Sequence, residues 1–129
     1  MQAHRLEFSL LQDELSVCRL TPTAPIPEWS QNPGAFSCIT RTREELSIVC
    51  ASENVPADVQ AEHKWIAFKL QGPFPFAQTG VLSSFIEPLS GNGIPIFAIS
   101  TYDTDYVLIK ADARSSALAF LREAGHTLI

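Results

Sequence analysis

From Lys64 onward the spacing of apolar residues switches between a period of two and one of three to four, and few folds accommodate the order in which it does so. "KWIAFKLQG" reads as a strand. "TGVLSSFIEPLSGNG" then sets Val81, Leu82, Phe85, Ile86 and Leu89 on one helical face, with Thr79 suited to the N-cap and Gly91 or Gly93 to the stop. Pro88 falls inside that stretch, where its ring opposes the carbonyl four residues back, so the last turn is expected to kink or tighten. Two apolar strands follow within "SGNGIPIFAISTYDTDYVLIK". "DARSSALAFLREAG" gives a second helix with Asp112 as N-cap and Gly125 as terminator, and "HTLI" closes the chain as a short strand.

Strand, helix, strand, strand, helix, strand is the split βαβ order, which predicts an α+β, ferredoxin-like βαββαβ fold: one antiparallel sheet with helices on one face. The first half differs. "HRLEFSLLQDELSVCRL" alternates in strand fashion around a bend at Gln12 to Glu14. "TPTAPIPEWSQNPG" carries four of the nine prolines and has room for one helical turn at Glu28 to Gln31. "AFSCITRTREELSIVC" adds two strands around a polar turn, and "ASENVPADVQAEH" is a loop with room for one short helix. "FSCITRTREELSIVC" and "FAISTYDTDYVLIK" align with one gap, setting Thr40 on Thr101, Glu45 on Asp105 and Ile48 on Leu108. The expected organisation is therefore two tandem lobes of related design, a degenerate strand-rich lobe over 1–62 and a complete one over 63–129.

The 129 residues carry nine Lys plus Arg against fourteen Asp plus Glu, a formal charge of -5 with the basic residues scattered. Nucleic acid is not an expected partner, because phosphate binding rests on a concentrated positive field. No apolar stretch approaches the length of a membrane span, so no membrane association is expected and a cytoplasmic location is the default. Cys18, Cys38 and Cys50 form no CxxC pair and read as small buried hydrophobes in a reducing compartment; the three histidines lack ligand spacing. No metal and no cofactor are expected.

The segment joining the last long strands, Ser100 to Asp105, holds hydroxyls and carboxylates but no glycine, although tight hairpins favour Asn-Gly or Gly-Gly. Catalysis has little support there: GxSxG, HExxH and GxxxxGK[ST] are absent, and Asp103 and Asp105 have no third group to separate their roles. Binding fits better. The loop "GPFPFAQTGV" delivers the chain to a helix start, whose free N–H groups and positive dipole end favour a carboxylate, and Gly80 permits close backbone approach. The first and third strands of such a sheet are neighbours, which brings the polar turn toward that loop. Asp105 then offers a counter-charge to an ammonium or guanidinium, and Ser100 and Thr101 offer neutral hydrogen bonds. The turn-chemistry alternative needs no ligand: Thr79 and Gly80 as cap and turn, Asp103 and Asp105 as charges keeping a strand edge soluble.

"GPFPFAQTGVLSSFIEPLSGNGIPIFAISTYDTDYVLIKADAR" resembles the ACT-like domains of small bacterial proteins related to the CASTOR-type arginine sensors, in which "TGVLxxIxxPLxxxGIxIFAISTxxTDYxLV" recurs. The resemblance is specific over residues 66–112 and extends more loosely to "CITRTREELSIV". It implies a non-catalytic regulatory module that binds a free amino acid at an interface between ACT units. By motif, the ligand-binding positions it implies are Thr79, Gly80, Val81, Ser100, Thr101, Tyr102 and Asp105. The sensors hold four ACT units and this chain two, so the resemblance also implies a homodimer, with a further protein partner receiving the signal. The apolar "PFPF" before the helix leaves smaller or apolar amino acids open beside arginine.

Overall fold

The computed structural model describes residues 4–32 and 34–129, and these form two compact units: Gln12–Trp65, and Ile66–Ile129 with the described part of Met1–Leu11. The division differs from the expected break at residue 62, because the first strand belongs with the C-terminal unit. Eight strands and two α-helices are present among the described residues: β1 (Glu7–Leu10), β2 (Leu15–Leu20), β3 (Cys38–Arg41), β4 (Leu46–Ala51), β5 (Ala61–Leu70), α1 (Val81–Ser90), β6 (Phe97–Ser100), β7 (Asp105–Lys110), α2 (Arg114–Glu123) and β8 (Thr127–Leu128). The unit boundary falls inside β5. No helix among the described residues is long and apolar enough to cross a membrane.

In the C-terminal unit, β5, α1, β6, β7, α2 and β8 follow one another in the βαββαβ order, with β7 between β5 and β6. β1 pairs antiparallel with β5 (Phe8 opposite Leu70) and parallel with β8 (Phe8 opposite Leu128), so it is inserted between the first and last strands of the motif. Packing drives the insertion: Leu6 and Phe8 are buried in a cluster with Phe68, Leu70, Val107 and Ile109 from the sheet and Val81, Phe85, Leu89, Ala117 and Leu121 from the helices. Phe8, Phe68 and Phe85 form its centre, with centroids 5.2–6.0 Å apart in edge-on arrangements that suit the aromatic quadrupole.

Both helices end as the glycines predict. Gly93 (φ 81°) and Gly125 (φ 94°) are left-handed, and the N–H groups of Ile94 and His126 reach back to the carbonyls of Leu89 and Leu121. The starts differ from expectation. Gly80, not Thr79, is the N-cap of α1, and Ala113 that of α2; Asp112 lies in the 3-10 turn before it, and neither helix has a side-chain cap. A φ of 83° at position 80 explains the shift, since glycine enters that region at no steric cost.

Among its described residues the Gln12–Trp65 unit contains no α-helix, only 3-10 turns at Glu28–Gln31 and Ser52–Asn54, where the sequence allowed a short helical turn. Its pairing runs β3, β4, β2 and the start of β5, all antiparallel. Leu46, Ile48, Cys18 and Cys50 form its small core. Cys38 is only half-buried, because it opens the exposed strand β3. The hydrogen bond that the Cys18 thiol donates to the Cys50 sulfur, together with burial, raises the Cys18 pKa above the usual thiol range. Where β2 meets β5 the register slips by one residue: Leu15 faces Trp65 but Val17 faces Glu62. Two residues of β5, His63 and Lys64, thus oppose Ser16, a β-bulge in which Lys64 is left-handed (φ 66°). The buried Ser16 hydroxyl bonds His63 Nδ1 (2.7 Å) and Ser52 Oγ (2.8 Å) there.

Candidate functional site

The loop before α1 and the turn between β6 and β7 meet within the C-terminal unit. Phe74 N–H donates to the Asp103 carbonyl at 2.9 Å, and the Thr104 hydroxyl, almost fully buried, donates to the Leu70 carbonyl at 2.7 Å. The approach depends on Gly72, since a Cβ at that position would stand 2.9 Å from the Asp103 backbone oxygen. Between loop and turn lies a cavity of about 280 Å³. That is near the low end of small-molecule sites, roughly 300–1,000 Å³, and fits one small ligand.

Six of the seven residues expected from sequence line this cavity: Gly80, Val81, Ser100, Thr101, Tyr102 and Asp105. Thr79 does not; it is exposed beside the cavity, and its carbonyl accepts a hydrogen bond from His4 Nε2 at 3.0 Å. Gly80 is the hinge by which the chain enters α1. The N-cap is a glycine, so no side-chain cap closes the first turn of α1, and a helix start of this kind favours an anion at its positive end.

Asp105 and Ser100 are opposite one another across the β6–β7 pair, and the Ser100 hydroxyl donates a short hydrogen bond to Asp105 Oδ1. Thr101 behaves differently from expectation. Its backbone N–H and hydroxyl both donate to the Thr104 carbonyl (2.8 and 3.0 Å), so its hydroxyl is engaged in closing the turn. Sequence reasoning also passed over Phe76. Its ring meets Tyr102 edge-on at 5.0 Å, and the two are 75% and 80% exposed at the cavity's rim. The local signal available was the "PFPF" run, in which Phe74 is half-buried against the core but Phe76 is not.

The first half contains the same turn without the site. Thr42 N–H donates to the Glu45 carbonyl at 2.9 Å and Thr42 Oγ1 accepts from Glu45 N–H at 3.2 Å, matching Thr101 and Thr104. The residues flanking the turn are Arg41 and Leu46 in one hairpin and Ser100 and Asp105 in the other. The repeat therefore aligns without a gap, with Thr42 rather than Thr40 on Thr101, Leu46 rather than Glu45 on Asp105, and Ile48 on Val107. A buried leucine stands in the aspartate's place, and no α-helix begins nearby. Among the described residues no group of His, Cys, Asp or Glu has the arrangement of a metal site.

A family model of the ACT domain matches residues 60–123, and a model of an N-terminal domain matches residues 13–58. The chain is 29% identical over 109 residues to the human protein CASTOR3P, covering 72% of this chain and 67% of that one. Among solved structures it resembles the protein Atu0741 from Agrobacterium tumefaciens, with 42% identity, a TM-score of 0.93, and coverage of 98% and 94%. The ligand-free regulatory subunit of aspartate kinase from Thermus thermophilus shares the fold, with a TM-score of 0.56 and 12% identity over 87% of this chain and 93% of that one. With the ACT-domain match falling on its βαββαβ unit, the chain carries an ACT domain over residues 60–123.

Proposed function

We propose that this protein is a non-catalytic regulatory module that binds a free amino acid in the cavity between the loop before α1 and the β6–β7 turn. The observation that carries the reading is the pairing of opposite polarities across one small space. The uncapped start of α1 suits a carboxylate, and the Asp105 carboxylate suits an ammonium. An α-amino acid presents those two charges one carbon apart. In this reading the ligand is held between ACT units of a homodimer, which the exposed aromatic rim of the cavity supports, and its binding favours one arrangement of the units that a protein partner reads. Such a shift requires different ligand affinities in the two arrangements. The module works in the cytoplasm.

Thermal unfolding against each free amino acid at millimolar concentration tests this. Ligand at one hundred times its dissociation constant stabilises the fold by about 2.7 kcal/mol, which moves the midpoint by several degrees for a chain of this size. The expected result is a selective shift that disappears in Asp105→Asn while the unliganded midpoint stays in place. Retention of the shift in Asp105→Asn removes this site. Absence of any shift, in protein refolded to strip carried-over ligand, favours a ligand-independent protein-interaction module instead.

A further inference from the structure

Resting on the reading above, we infer that the amino acid this cavity selects has an uncharged, apolar side chain, held against the rim formed by Phe76 and Tyr102. The lining contains no Lys, Arg or His, and two carboxylates, Asp103 and Asp105. The nearest basic ring, His4, is directed to the Thr79 carbonyl. The start of α1 suits an anion, and the ligand's own α-carboxylate occupies it. A second carboxylate, as in aspartate or glutamate, would enter an acidic cavity with no counter-charge, and burying an unpaired charge is costly.

A cationic side chain fares little better. Asp105 is taken by the α-ammonium, which leaves Asp103, and that residue is exposed at the turn. Exposed ion pairs contribute little, because water screens them and two flexible chains must be ordered. The apolar wall is larger. Phe74, Phe76, Leu82 and Tyr102 all line the cavity, and the two rim rings are mostly exposed. An apolar side chain placed against them removes both its own surface and that of the rings from water, the largest favourable term the site offers. Phe76 and Tyr102 meet edge to face, so the pair presents a ready surface.

Isothermal titration of the full chain with phenylalanine, leucine, alanine, arginine and glutamate reads the order directly. Phenylalanine and leucine are expected to bind at least about tenfold more tightly than alanine, and arginine and glutamate more weakly than either. Phe76→Ala is expected to remove most of the advantage of phenylalanine and leucine over alanine. Phe76 is exposed, so its loss leaves the fold intact, and an unchanged unfolding midpoint checks this. Tighter binding of arginine or glutamate than of leucine overturns the inference but leaves the amino-acid reading standing. An advantage for leucine and phenylalanine that survives both Phe76→Ala and Tyr102→Ala overturns the role of the rim. Binding by none of the five overturns the amino-acid reading itself.

Discussion

Pro88 lies inside α1 and cannot donate to the Ser84 carbonyl four residues earlier, a defect that ordinarily costs about 3 kcal/mol. His126 repairs it from another part of the chain. Its ring is 4% exposed, Nε2 donates to the Ser84 carbonyl at 2.9 Å, and Nδ1 accepts Leu6 N–H at 3.1 Å. Because a backbone N–H donates to Nδ1, the ring nitrogen that donates to Ser84 is Nε2. One imidazole thus ties the α1 backbone to β1 and packs against Phe85, 5.4 Å between centroids. At the other side of the repair, Asn92 donates to the Pro88 carbonyl. The two residues are therefore energetically coupled. His126→Ala is expected to destabilise the chain by about 2–3 kcal/mol, since it leaves two buried backbone groups unpaired. In the Pro88→Ala background the loss is expected to be smaller by about 1 kcal/mol, because the new N–H at position 88 satisfies Ser84. Equal losses in the two backgrounds, read from urea unfolding, would show that the proline and the histidine act independently.

At the scale of elements, the β3–β4 and β6–β7 hairpins show what a turn needs for itself and what it carries beyond that. Both close with a threonine whose side chain and N–H engage the residue three positions on, at Thr42 and Thr101. The hydroxyl that looked chosen for a ligand at Thr101 is thus required by the turn. What is extra in the second hairpin is the flanking pair Ser100 and Asp105, with Tyr102 at the tip. The bulge in β5 is a second case. Lys64 is exposed yet left-handed, a conformation that costs a side-chain-bearing residue roughly 1–2 kcal/mol. Lys64→Gly relieves that strain and gives back part of it as unfolded-state entropy. A net gain of about 0.5–1 kcal/mol is expected in equilibrium unfolding. A loss of stability would mean that the lysine side chain holds the bulge by contacts that outweigh its strain.

For the whole molecule, the proposed signal is a change of assembly. Sedimentation velocity at fixed protein concentration is expected to show the dimer fraction rising with the amino acid that raises the unfolding midpoint, and Asp105→Asn is expected not to respond. A dimer fraction indifferent to that ligand would remove assembly as the output while leaving binding in place. The elements on which this rests were largely legible beforehand. A period of two or of three to four is written into neighbouring residues, and so are the stops at Gly93 and Gly125, because each depends on contacts within one turn or one strand. The polar turn and the glycine-bearing loop were legible in the same way as the two sides of a binding site. Their meeting is a different matter. Phe74 to Asp103 and Thr104 to Leu70 join residues about thirty positions apart, the insertion of β1 beside β5 joins residues about sixty apart, and His126 completes a helix that begins more than forty residues earlier. No local spacing encodes such partners, since each is selected by the packing of the whole core at once. The sequence by itself thus determined the order and kind of the elements in the βαββαβ half. Only the tertiary structure decided that β1 completes that half, that the first hairpin's copy of the turn has a buried leucine where the second has its aspartate, and that two exposed aromatic rings stand at the rim of the cavity.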